Sequence, residues 1–167
     1  IGEYQALVRM TAGALCGTDK EIIYDKLKGF HNYPTVLGHE GIGRVEAIGS
    51  KVKSFTVGDK IVLPFLDDGE KFYSTWGAFA EYAVIGDADA MMEDGHTVGD
   101  GVLTEGNLGQ KKIPEGLDDV EAAMIVTYRE VYSTMKRLGF QKGKSLILYG
   151  AGPVGLVFIT LAKYMGL

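Results

Sequence analysis

The sequence predicts a mixed β and α/β chain: a compact antiparallel β-barrel, followed by the first strand and helix of an α/β domain. Three observations carry this. Short period-two runs separated by glycine turns fill most of the chain up to residue 117. The apolar pattern becomes helical from Asp118. A continuous apolar run, Ser145 to Tyr149, then leads straight into a Gly-rich turn and an apolar helix.

Taken in order, Tyr4 to Met10 alternates, with Ala6, Val8 and Met10 on one face and Leu7 and Arg9 on the other. Such alternation reads as a half-buried strand. A second strand is expected over Gly43–Ile48, ending at Gly49-Ser50. A third is expected over Lys60–Phe65, after the turn Val57-Gly58-Asp59, and a fourth over Ala78–Ile85. Asp87 to Lys112 is rich in Gly and Asp and has no sustained period. It is expected to be a structureless loop, either a surface excursion or a lid. From Asp118, Val120, Ala123, Met124, Val131, Met135 and Leu138 fall near helical spacing. Asp118 or Asp119 is the expected N-cap and Gly139 the stop. Ser145–Tyr149 reads as a strand buried on both faces, and Val154–Tyr164 as the helix after it. The expected domains are therefore 1–117 and 118–167.

Composition narrows the function classes. With 46% hydrophobic and 23% charged residues, the chain is ordinary for a soluble globular protein. A formal charge of −5 without a Lys/Arg cluster argues against nucleic acid or an anionic membrane as partner. The longest apolar stretch, near the C-terminus, is too short and too interrupted by Gly and Lys to span a bilayer. The start, Ile1-Gly2-Glu3-Tyr4, has no initiator Met or signal-like run and reads as the middle of an interrupted strand. The single cysteine, Cys16, rules out an internal disulfide, so a reducing, cytoplasmic compartment is expected. The 24 glycines are not periodic and suit a tightly turned barrel.

Two groups of residues carry chemistry. The first is Gly150-Ala151-Gly152-Pro153-Val154-Gly155, placed between the apolar run and its helix. In that context GxGxxG is the dinucleotide fingerprint. Gly150 serves the turn, Gly152 lets backbone approach a pyrophosphate, and Gly155 lets helix and strand pack closely. The alternative is a Gly-rich turn without ligand. The second group is Cys16-Gly17-Thr18-Asp19 with Gly38-His39-Glu40-Gly41-Ile42-Gly43. Thiolate, imidazole and carboxylate are the ligand types of an open catalytic zinc site. Singly, Cys16 would be core packing and His39 a satisfied buried histidine. Both loops at one barrel end would bring them together.

The combination CGTD, then GHE-G-x-G with Gly49 and Val52, then GAGPVG, resembles the zinc-containing medium-chain dehydrogenases: the alcohol, sorbitol, threonine and glucose dehydrogenases. The segment Cys16–Ile22 is similar to the glucose dehydrogenase branch. The resemblance implies a GroES-like barrel joined to a Rossmann domain, and hydride transfer between an alcohol, polyol or sugar hydroxyl and NAD or NADP. It implies one catalytic zinc held by Cys16 and His39, with Glu40 as a further ligand or as a carboxylate just behind the ligands. Thr18 would relay the substrate proton, and Asp19 would accept from the imidazole. Gly150, Gly152, Pro153, Val154 and Gly155 would hold the cofactor. A homo-oligomer is expected of the full-length protein. The sequence departs from the family in three places. Leu66–Trp76 carries no cysteine lobe, so no structural zinc is expected. The family's further ligand position falls on Val126 or Thr127, with Glu130 one turn on as a possible substitute ligand or as a carboxylate paired with Arg129, Lys136 or solvent. The segment from Asp87 is longer than the family's connection. The competing readings are a zinc-free, quinone-reductase-like member and a non-catalytic barrel that keeps the fold.

Overall fold

The computed structural model describes residues 1–30 and 32–167. It divides into two compact units, Ile1–Ala123 and Met124–Leu167.

The first unit is built on a curled antiparallel sheet. Its strands are β1 (Gln5–Ala14), β3 (Glu40–Ile48), β4 (Lys60–Val62), β6 (Tyr82–Gly86) and β7 (Lys111–Lys112), in the order β6-β1-β3-β4-β7. A small parallel pair, β2 (Thr35–Val36) and β5 (Tyr73–Ser74), lies outside it. The alternation read in β1 is real: Ala6 and Val8 are fully buried and Arg9 is exposed. They join Val45, Phe55, Ile61 and Ile85 in the core, with Met10 and Val52 packed against it. Gly43 is needed where β1 and β3 approach. A Cβ there would lie 2.6 Å from the Arg9 carbonyl oxygen and 2.4 Å from Val8 Cγ1.

Several boundaries differ from the sequence expectation. The third strand stops at Val62 because Leu63 takes φ 61°, a left-handed conformation that leaves the pleat. Ala78 to Glu81 is not strand; its backbone turns to bond the segment before β3, and the strand begins at Tyr82. A short helix, α1 (Gly17–Ile23), was not expected from the pattern. Its signal is local: Asp19, at the third helical position, accepts from the Cys16 N–H at 2.9 Å.

The segment 87–112 is ordered, contrary to the structureless loop expected. It holds α2 (Ala88–Glu93), α3 (Glu105–Gly109) and β7. Side chains bonded to backbone do what apolar periodicity does elsewhere. Asp87 caps α2 through Ala90 N–H at 3.0 Å and also accepts from the Lys53 and Ser54 N–H groups, both at 2.7 Å, and the Ser54 hydroxyl at 2.8 Å. Asp100 accepts from the N–H groups of Thr97, Val102 and Leu103. Buried Gln110 accepts from Gly86 N–H and donates to the Leu63 carbonyl. A small core of Tyr4, Ala88, Ala90, Met91 and Leu103 lies beneath.

Lys60 is a buried cation. Its Nζ meets Asp119 Oδ1 at 2.5 Å and donates to the Leu117 carbonyl at 2.5 Å. The Lys60 hydrogen bond holds the Asp119 carboxyl below its usual range. This ties α4 (Asp119–Ala123) to the sheet. The expected helix from Asp118 is therefore two helices, α4 and α5 (Ile125–Arg137), with Asp118 Oδ1 accepting from Val120 N–H at 2.9 Å.

In the second unit α5 packs against α6 (Pro153–Met165). The contact uses Val131, Met135, Val157 and Ala162, with Leu146 and Phe158 alongside. The segment 145–149 forms no strand, and Ile147 is 81% and Tyr149 94% exposed, against the buried strand expected. A parallel strand exists only through its neighbours' hydrogen bonds, and none of the described residues pairs with this segment. No helix among the described residues is long and apolar enough to cross a membrane.

Asp87 gives a test of how the segment 87–112 is held. Burial alone would raise its pKa, but the bonds from Ala90, Ser54 and Lys53 outweigh burial and hold it below the usual value. A carboxyl whose folded pKa is depressed stabilises above the unfolded value, about 3.9, and loses that contribution as pH falls through the folded value. Asp87→Ala is expected to cost on the order of 3 kcal/mol in urea unfolding at pH 7, since it removes the acceptor of three N–H groups, one of them buried and two part-buried. Asp87→Asn should flatten the loss of stability between pH 5 and pH 2; an unchanged slope would show that another carboxyl carries it.

Candidate functional site

The β1–β3 register builds the site. Ala14, the last residue of β1, pairs with Glu40, the first of β3. Cys16 lies two residues beyond that pair and His39 one residue before it, so both leave the sheet at the same end. Cys16 then opens α1, which places Asp19 beneath it, fully buried.

Asp19 joins the two motifs. Its Oδ2 accepts from the Cys16 N–H at 2.9 Å, while its Oδ1 lies 3.7 Å from His39 Nδ1. Both Asp19 Oδ1 and His39 Nδ1 are buried, and neither has a hydrogen-bond partner. Buried polar atoms are normally satisfied. Two unsatisfied atoms facing each other mark a place where the packing serves something besides stability. Thr18 lies on the same turn, with its hydroxyl 3.9 Å from Cys16 Sγ. The structure thus brings together Cys16, Thr18, Asp19 and His39.

It does not complete a metal cage from them. Among the described residues no three His, Cys, Asp or Glu side chains stand close enough to hold an ion. Glu40, expected as a further ligand or a carboxylate just behind the ligands, is buried at the head of β3 and has an interaction of its own. It does not join Cys16 and His39 as a third donor. The donor set therefore suits zinc in kind, a thiol and an imidazole, and falls short in number. In the second unit Val126 and Thr127 are buried in α5, and Glu130 is exposed there.

The sequence reading missed Trp76. Its ring meets the His39 ring at 4.8 Å between centroids and 60° between planes. Its backbone has φ 66°, a conformation that costs a bulky residue about 1–3 kcal/mol. The chain holds it there on both sides. The Trp76 carbonyl accepts from Leu66 N–H, and the next residues bond the Gly38 and Leu37 carbonyls through Ala78 and Phe79 N–H. The available signal was a lone Trp directly before a Gly, at the entry to the fourth strand.

The Gly-rich turn sits in the second unit. Gly150 has φ 108°. A Cβ on Gly155 would lie 2.4 Å from the Gly150 carbonyl oxygen, so Gly155 is needed for the turn to close. A Cβ on Gly152 would meet nothing within 4 Å. Gly152 is the N-cap of α6, with Pro153 following and no side-chain cap, so the first N–H groups of the helix are not bonded by a capping side chain.

Comparison with known proteins places this arrangement. The model of the alcohol dehydrogenase GroES-like domain matches residues 2–94. The chain belongs to this family. Within it, an alcohol dehydrogenase of Geobacillus stearothermophilus is 30% identical over 175 residues, covering 99% of this chain and 49% of that protein. A geissoschizine synthase of Catharanthus roseus is 31% identical over 174 residues, covering 99% and 48%. The chain spans about half the length of the curated relatives it matches. In fold it is similar to a cinnamyl alcohol dehydrogenase of Sorghum bicolor, with TM-score 0.76 and 21% identity over 99% of this chain and 49% of that one. It is also similar to galactitol-1-phosphate dehydrogenase of Escherichia coli, with TM-score 0.72 and 22% identity over 99% and 47%. The curled sheet is the GroES-like barrel of the medium-chain dehydrogenases, and the Rossmann part of that fold is only partly covered.

Gly77 tests the hold on Trp76. It has φ 82°, and a Cβ there would lie 2.3 Å from Leu66 Cβ. Gly77→Ala should cost about 2 kcal/mol and shift the emission of Trp76 by releasing its ring from His39. A variant with unchanged emission and stability would show that this backbone is not what places the indole.

Proposed function

We propose that the full protein is an oxidoreductase that moves a hydride between an alcohol and NAD or NADP, with Cys16 and His39 holding a catalytic zinc. The observation that carries this reading is the buried contact of Asp19 with both motifs at one end of the β1–β3 ladder. Residues 1–117 would form the catalytic domain, and 118–167 the linking helix and the start of the nucleotide-binding domain.

Bound there, zinc would act as a Lewis acid on the substrate oxygen. The chain's own residues supply positioning and proton control. Asp19, beside His39 Nδ1, favours the tautomer with its proton on that nitrogen and leaves Nε2 as the donor atom. The same carboxylate fixes the Cys16 backbone, so ring and thiol are held by one buried group. Thr18, half-buried on the first turn of α1, offers a hydroxyl that can take the substrate's proton and pass it outward. On the nucleotide side, the first N–H groups of α6 and the open space at Gly152 suit a pyrophosphate.

One observation favours a second reading, a zinc-free reductase: among the described residues no group of three His, Cys, Asp or Glu stands together to hold an ion. Metal analysis of the full protein separates the two. Under the zinc reading, the protein carries about one zinc per chain, and Cys16→Ser or His39→Ala loses both the metal and turnover. A wild-type protein that reduces its substrate without bound metal, and is indifferent to chelators, would establish the second reading.

The dinucleotide role has its own test. A Cβ at Gly152 meets nothing within 4 Å, so Gly152→Val is expected to fold. Affinity for NAD(P), measured by titration, should fall at least about tenfold, as expected when a side chain fills the pyrophosphate's place. Unchanged affinity would leave the turn as a structural one.

A further inference from the structure

The segment 87–112 does more than cover the sheet. Together with β1, β6 and the chain after β4 it borders a cavity of about 310 Å³. Gln5, one of its lining residues, is the first residue of β1, whereas Cys16 follows Ala14, the last. Nine residues of extended strand separate the two ends by about 30 Å. The cavity is therefore distinct from the Cys16–His39 site. Much of its wall, including Val102, Asn107 and Gln110, also lies beyond residues 2–94, which the family's domain model matches.

The wall is fixed from within. Buried Gln110 accepts from Gly86 N–H at 2.8 Å and from Asn107 Nδ2 at 3.0 Å, and it donates to the Leu63 carbonyl at 3.0 Å. Gly86 makes room for this, since a Cβ there would lie 2.5 Å from Asn107 Nδ2. Gly106 does the same for Phe65, whose Cε2 a Cβ would approach to 2.9 Å. Asp100 pins the rim by accepting from Val102 and Leu103 N–H. Gln110 thus spends its bonds on holding the wall, and open space remains in front of it. A small-ligand site needs such a preformed space, and about 300 Å³ is enough for one.

The lining also has a definite charge. Asp67 is its one ionisable side chain, and among the described residues no hydrogen bond or ion pair engages that carboxylate. Phe65, Met91 and Val102 supply apolar surface beside it. A free carboxylate and a phenyl ring both favour positive charge, and an anion would find no counter-charge. One carboxylate is too few oxygens for a metal ion, and no group of three metal-binding side chains stands together among the described residues. We propose that this cavity is a second binding site, for a small organic amine: its ammonium pairs with Asp67 and its apolar body lies against Phe65, Met91 and Val102. At the volume of a water molecule per heavy atom, the space takes about ten non-hydrogen atoms.

Tyramine has that size and is the probe. In the full protein, titration calorimetry with tyramine should show one saturable site per chain. In 4-propylphenol a methyl replaces the ammonium, and in 3-(4-hydroxyphenyl)propionate a carboxylate does. Both should bind at least about tenfold more weakly. Asp67→Asn alters an exposed, unpaired side chain, so it should fold and keep its turnover while weakening tyramine at least about tenfold. Amide exchange over residues 97–110 should slow on binding. Cys16→Ser should leave tyramine affinity unchanged. No saturable binding at millimolar tyramine, equal affinity for 4-propylphenol, or undiminished binding in Asp67→Asn overturns the proposal. So does binding that Cys16→Ser abolishes, which would place the amine at the other end of β1. None of these measurements depends on hydride transfer, so failure of the oxidoreductase reading would leave the amine site standing.

Discussion

The pairing of β1 with β3 is the constraint on which the first unit depends. These are the two long strands, and they lie side by side at the centre of the five-stranded sheet. Their register fixes which side chains enter the core, because a slip of one residue would turn Ala6, Val8 and Val45 outward. Close approach requires Gly43, where any side chain would strike the facing backbone. The same register decides that the chain leaves β1 and enters β3 at one end. Cys16 and His39 leave the sheet at one end because Ala14 pairs with Glu40, and Asp19 reaches both. Core and site are thus two consequences of one ladder.

Around that ladder, the buried charges of Asp87 and Lys60 have a purpose legible in their bonds. Asp87 and the Lys60–Asp119 pair are fully committed to backbone or opposite charge, and they anchor the segment 87–112 and α4 to the barrel. Breaking such pairs is costly because the remaining charge stays buried. The Asp19–His39 contact differs in kind. At 3.7 Å it is too long for a hydrogen bond, and each facing atom lacks a partner. A fold that satisfies its other buried carboxylates so completely leaves this one open beside a thiol and an imidazole. That contrast is the physical case for reading this end of the barrel as the site.

Ring packing adds a second layer to it. Trp76 is held beside His39 by backbone bonds on both flanks, at a conformation its own residue type disfavours. The bonds from Ala78 and Phe79 to Gly38 and Leu37 also hold the stretch that presents His39. One short turn therefore positions both the imidazole and the ring against it.

The sequence by itself determined the class of the fold and picked out the candidate residues of the site. Period-two alternation marks β1 because burying one face of a pleat demands it. Cys, His and a GxGxxG turn name their chemistry by residue type alone. The structure forms two compact units, Ile1–Ala123 and Met124–Leu167. Other features had no local signature. The segment 87–112 is ordered through single side chains that reach distant backbone, such as Gln110 to Leu63 and Asp87 to Lys53, and no periodicity records such contacts. Ser145–Tyr149 carries a strand's composition, but a strand is made by its neighbours, and none of the described residues supplies one. Whether Glu40 joins Cys16 and His39, and whether Trp76 faces them, depended on where the backbone turned in three dimensions. Only the tertiary structure could decide that, because distance between side chains is set by the whole sheet and not by separation along the chain.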